Sequence, residues 1–162
     1  MSSRILPLVV VAALALTAAP SQAQQHAQHA AQTAKLAWGP APPFLPAGAK
    51  FALVSGDPGK SGPFEIRLDM PSGYMIPPHT HPTAETVTVK SGHFAYGMGD
   101  KVDKKAEKTM TAGKSGTLPP NMAHWAHAKG RTVVAVSGNG PFAITYVNPT
   151  DDPRNNGKMK TK

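Results

Sequence analysis

Proline and glycine punctuate this chain so densely that no long helix has room to run. The sequence holds 17 Pro and 15 Gly among its 162 residues. Proline lacks an amide donor and glycine loses the most backbone freedom on ordering, so each tends to end a regular element. Between about residues 35 and 154 these breaks, with Asn and Asp beside them, separate short apolar or alternating runs. The runs predict strands over residues 50–55, 64–70, 85–90, 93–98, 108–111, 116–118, 123–128, 132–137 and 142–147. Many short strands at even spacing point to an all-β sandwich or barrel, and this spacing suits a double-sheet jelly roll. About 120 residues make one domain with one core. No internal repeat is visible.

The chemistry concentrates in Gly73 to Gly92, GYMIPPHTHPTAETVTVKSG. His79 and His81 are two residues apart, so on a strand both face the same side. Glu85 follows four residues later, roughly 13 Å away on a straight strand, so sharing an ion with the histidines requires a turn. Pro82-Thr83-Ala84 supplies one, since Pro82 cannot extend a ladder. Imidazole nitrogens with a carboxylate oxygen form a ligand set for a first-row divalent metal: Fe, Mn, Ni, Cu or Zn.

The spacing Gly73-x5-His79-x-His81-x3-Glu85-x6-Gly92 resembles the first motif of the cupin family. The run Gly113-x5-Pro119-Pro120-Asn121-x2-His124 resembles the second. Two positions depart from it: Asn121 stands where glycine is usual and Ala128 where asparagine is usual. Asn tolerates positive φ better than most residues, so the first change is mild. The resemblance implies a double-stranded β-helix (jelly-roll) cupin barrel. It also implies four ligands, His79, His81, Glu85 and His124, holding one divalent metal ion per chain. A small-molecule ligand in the barrel and a homodimer are further expectations from the family. His127 follows His124 by three residues, so strand alternation turns it away from the metal unless the strand bulges.

The ends read differently. Arg4, the apolar run from Ile5 to Ala19, and Ser21-Gln22-Ala23 make a secretory signal peptide over residues 1–23, cleaved after Ala23, which predicts a periplasmic or secreted protein. Its apolar part is too short for a stable membrane anchor. Residues 24–34, rich in Gln, Ala and His, predict a disordered tether in which His26 and His29 are solvated; residues 155–162 predict a disordered tail. The cupin domain is expected over residues 35–154. There is no cysteine, which excludes disulfides and thiolate metal sites. The net charge is +8, or +7 without Arg4. That balance favours anionic partners, but basic residues do not interleave with aromatics, and nucleic-acid binding is not expected.

Other features receive structural readings. Glu65, Arg67 and Asp69 share one face of a strand as a charge cluster. Lys90 to His93 predicts a hairpin turn. Residues 99–113 predict a solvated loop or hairpin, and Pro40 to Pro46 an extended entry segment. Phe94, Tyr96 and Met98 share a face that serves as core and pocket lining alike. Trp38 and Trp125 cover the barrel or its ends, and Tyr74, Tyr96 and Tyr146 are candidate phenolic donors to the cavity. Two functions from different classes fit. One is a metal-dependent enzyme acting on a small molecule by an oxygenase-like or lyase/isomerase-like reaction. The other is a non-catalytic module that binds or senses a small molecule or metal. A closed four-ligand zinc site would be structural.

Overall fold

Alternation sets which side of each strand is wet, and here it builds two facing sheets. The computed structural model describes residues 36–155. The expectations for the signal peptide, tether, His26, His29 and residues 156–162 lie outside the described residues. Contacts divide the chain after Lys35, and the described residues belong to the second unit, Leu36–Lys162.

Eleven strands follow in order: β1 (Gly39–Pro40), β2 (Lys50–Ser55), β3 (Gly62–Met70), β4 (Met75–Thr80), β5 (Glu85–Ser91), β6 (His93–Met98), β7 (Lys108–Thr111), β8 (Ser115–Leu118), β9 (His124–Ala128), β10 (Thr132–Gly140) and β11 (Thr145–Tyr146). Two short 3-10 turns, Pro149–Asp151 and Pro153–Asn155, follow. One sheet runs β1-β2-β3-β10-β5-β8 and the other β11-β4-β9-β6-β7, with antiparallel neighbours throughout. This is the all-β jelly roll expected from the sequence.

The core lies between the sheets. β3 contributes Phe64, Ile66, Leu68 and Met70, β5 Val87 and Val89, and β10 Val134 and Val136; Ile76, Phe94, Ala126 and Ala128 face them from the other sheet. Burying each large aliphatic or aromatic side chain stabilises the fold by about 1.5–3 kcal/mol. The wet face of β5 pairs with β8 through hydroxyls, Thr86 with Thr117 at 2.9 Å and Thr88 with Ser115 at 2.8 Å.

Several local expectations need correction. Residues 90–93 are not a hairpin turn, because β5 and β6 belong to different sheets. Gly92 is the corner between them: its φ is +81°, and a Cβ there would sit 2.4 Å from the Arg131 carbonyl oxygen. The Glu65–Arg67–Asp69 cluster divides. Arg67 pairs with Glu65, whereas Asp69 takes a two-pronged bond from Arg131, at 3.0 and 2.7 Å. β4 contains Pro77 and Pro78 and carries no strand signature in the sequence. It pairs on both sides, with a register shift between Ile76 and His79 that accommodates the prolines. The last strand contracts to Thr145–Tyr146. Phe142 and Ile144 turn into the barrel instead.

Candidate metal centre

The bulge in β4 determines which histidines face inward. Ile76 pairs with Ala126, but His79 pairs with His124, so three steps along β4 match two along β9. The extra residue reverses parity, and Ile76 and His79 both line the interior. His81 lies just past the end of β4. The chain then turns at Pro82 and starts β5 in the opposite sheet with Glu85, as the Pro82-Thr83-Ala84 turn predicted. His124 opens β9, directly across from His79. The tight turn before it relies on Asn121, the non-glycine residue at positive φ (58°) among the described residues. Its N–H donates to the His81 carbonyl at 2.8 Å. The residue in glycine's usual place thus adopts the conformation that glycine would, and stitches the two motifs together.

The imidazoles of His79, His81 and His124 converge, with one potential ligand atom from each lying within 4.8 Å of the others. All three residues are buried. Each ring is oriented by a main-chain carbonyl. Nδ1 of His79 lies 2.7 Å from the Pro77 oxygen, Nδ1 of His81 2.7 Å from that of Ala143, and Nδ1 of His124 2.9 Å from that of Met122. A carbonyl only accepts, so in each ring Nδ1 carries the proton and Nε2 presents a lone pair. The Nε2 atoms of His81 and His124 are buried without a hydrogen-bond partner. Glu85 Oε2 lies 3.2 Å from Nε2 of His124 and 3.7 Å from Nε2 of His81. Lone pairs facing a carboxylate require a cation between them. For His124, burial pushes the pKa down, but Glu85 and the Met122 carbonyl outweigh burial and the net direction is up. His79 is held well below the usual histidine range by burial and then by His124 and His81, and burial also lowers His81. Oriented neutral imidazoles, orphaned lone pairs and an adjacent carboxylate fit a divalent metal.

Beside this cluster lies a cavity of about 250 Å³. Phe44, Leu45, Phe51, Ile66, Phe142 and Ile144 form much of its wall, with His79, His81 and Glu85 on one side. A smaller void of about 30 Å³ on the other side of the cluster is lined by His124, Tyr96 and Phe94 among others. Phe142 stacks on His81 with centroids 4.1 Å apart. The Pro40 to Pro46 segment does more than enter the fold. Gly39–Pro40 pairs with β2, and Pro42, Phe44 and Leu45 form cavity wall. The apolar Phe44-Leu45 pair inside the proline run was the sequence signal for that role.

The remaining candidates lie elsewhere. The Tyr74 hydroxyl donates to the Pro46 carbonyl and that of Tyr146 to the Phe44 carbonyl, so these two phenols anchor the entry segment instead of serving the cavity. Burial raises Tyr74 to about 12, and burial followed by the Tyr74 charge raises Tyr146 as well. His127 faces away from the cluster, as alternation predicted, with Nδ1 3.9 Å from Glu107, which also pairs with Lys129. Trp125 is fully buried, whereas Trp38 is partly exposed. Of the Phe94, Tyr96 and Met98 face, Phe94 is core, Tyr96 packs against it, and Met98 is exposed at the strand end. The carbonyls of Pro77, Ala143 and Met122 and the ring of Phe142 are the site groups that the sequence reading missed.

Comparison with known proteins agrees with this architecture. The profile of the Cupin domain family matches residues 66–137. Germin-like protein 1-1 of Oryza sativa subsp. japonica is 35% identical over 71 residues, 43% of this chain and 33% of that protein. Germin-like protein 5-1 of the same species is 37% identical over 71 residues, 43% of this chain and 32% of that protein. The matches therefore span about a third of the length of these curated relatives. Among solved structures, a candidate acetylacetone dioxygenase from Methylibium petroleiphilum PM1 superimposes with a TM-score of 0.57 at 19% identity, covering 88% of this chain and 90% of that one. An RmlC-like cupin from Shewanella frigidimarina NCIMB 400 gives 0.52 at 17% identity, covering 66% and 86%. At these identities the structural likeness concerns the fold. The jelly roll, both motifs and the family profile agree, and residues 66–137 match the Cupin domain family.

Proposed function

We propose that this protein is an exported metal-dependent enzyme. It holds one divalent first-row metal ion through His79, His81, Glu85 and His124, and acts on a small molecule by an oxygenase-like or lyase/isomerase-like reaction. One observation carries the reading. Three Nδ1 atoms are committed to main-chain carbonyls, so three Nε2 lone pairs are set toward one point beside the Glu85 carboxylate. A bound ion supplies Lewis acidity or redox chemistry. The chain supplies the rest. Each imidazole offers the ion its Nε2 lone pair, and Glu85 offsets one of its charges. The apolar wall excludes water from the reacting end of the cavity. Donors from both sheets make the site rigid.

A non-catalytic binding module is the second reading. Its support is that Tyr74 and Tyr146, two of the candidate proton donors, already serve the Pro46 and Phe44 carbonyls.

The test is metal content per chain, by mass spectrometry after dialysis, with circular dichroism to check folding. The wild type should hold close to one ion, His124→Ala should lose most of it, and Glu85→Gln should hold it more weakly in an intact fold. His127→Ala should retain it. Equal metal content in wild type, His124→Ala and Glu85→Gln would end the metal reading. Oxygen consumption or substrate turnover by the loaded protein separates enzyme from binder. Export is tested by sequencing the mature N-terminus, expected at Gln24.

A further inference from the structure

The cavity beside the histidines also constrains what can enter it. Its walls are hydrocarbon: Phe44, Leu45, Phe51, Ile66, Phe142 and Ile144 surround it, and the ionisable side chains among its lining residues are His79, His81 and Glu85, all belonging to the metal cluster. Among the described residues, no lysine, arginine, asparagine, glutamine, serine or threonine lines it. A molecule inside therefore finds polar partners at one end only. A second anionic group on it would be buried against aromatic and aliphatic carbon without a counter-charge, which is strongly unfavourable. Charge at the polar end limits the head group too. A divalent ion beside one carboxylate leaves a single net positive charge, which a monoanion balances and a dianion exceeds.

Size and shape narrow the body of the molecule. The cavity measures about 250 Å³. An apolar cavity of about 150 Å³ in a protein core is enough to take up benzene, so this one holds a body of that size and a head group besides. Phe142 stacks on the His81 ring, 16° from parallel, so an aromatic ring of the cavity wall stands directly against the cluster.

Building on the metal reading above, we propose that the ligand is a small, largely apolar organic molecule with one oxygen head group. The class is monocarboxylates, enolates or phenolates with a hydrocarbon body of about six to eight carbons. The head meets the metal end and the body fills the pocket of Phe44, Phe51 and Ile144. Sugars, phosphates and dicarboxylates are excluded by the walls.

Calorimetry on the zinc-loaded full chain tests this with benzoate, acetate and oxalate, and benzene is titrated into both the loaded and the metal-free chain. Benzoate should bind at least tenfold tighter than acetate or oxalate, with a negative heat-capacity change from apolar burial. Benzene should bind saturably with or without zinc. Phe44→Ala, at a partly exposed position, should weaken benzoate about three- to tenfold and leave zinc content unchanged. Oxalate binding as tightly as benzoate, or benzene failing to saturate either form, would overturn the proposal. Refusal of zinc with benzene still bound would sink the metal reading and support the apolar pocket.

Discussion

Trp125 and Gly97 show how little room single positions leave in this barrel. The indole is fully buried, and a Cβ on Gly97 would come within 2.4 Å of its ring atoms. A rigid ring in a closed space cannot step aside, so Gly97→Ala should cost about 1–3 kcal/mol, read as a lower urea midpoint with an unchanged slope. Asn121 behaves oppositely. Its φ of 58° suits glycine, so Asn121→Gly should leave stability nearly unchanged, while Asn121→Ala should cost about 1–2 kcal/mol and lower the same midpoint. This residue was legible in advance, because an asparagine where glycine is usual announces a positive φ. The parity of Ile76 and His79 was not legible. Side-chain alternation alone would put them on opposite faces, and only the pairing of β4 with β9 reveals the extra residue.

At the level of elements, long-range contacts set the boundaries that sequence missed. β2, β6 and β7 fall where alternating residues predict them. β4 does not, since two of its six residues are prolines and it is held by partners on both sides. The entry segment is likewise held from outside itself, by the hydroxyls of Tyr74 and Tyr146. Tyr146→Phe removes one such bond from a buried position and should cost about 1 kcal/mol; faster amide exchange in residues 41–46 would locate the loss. β3 is tied to the start of β10 by Asp69 and Arg131. The Arg131 guanidinium holds the Asp69 carboxyl below its ordinary range. A depressed carboxylate contributes stability that is present above its unfolded-state pKa and is lost as pH falls through the lower folded value. Asp69→Asn should therefore narrow the difference in urea midpoint between pH 6 and pH 3. An unchanged difference would mean that other groups carry the acid dependence.

For the whole molecule, β7 and β8 end their sheets with unpaired strand edges among the described residues. Open edges invite pairing unless they are covered, so a homodimer is the expected state. Light scattering at micromolar concentration should give twice the chain mass, and a monomer there would count against it. The jelly roll and the cluster of His79, His81 and His124 with Glu85 beside it could be read from the sequence because side-chain identity and spacing carry them. The groups that aim the imidazoles could not, because they are peptide oxygens at Pro77, Met122 and Ala143. Every amino acid brings the same oxygen. The outer sphere of this centre is thus written in the path of the chain and not in its alphabet. Drift at these three positions can replace one side chain with another while the imidazoles keep their aim, provided the path holds. A hunt for invariant outer-sphere side chains would find nothing there to align.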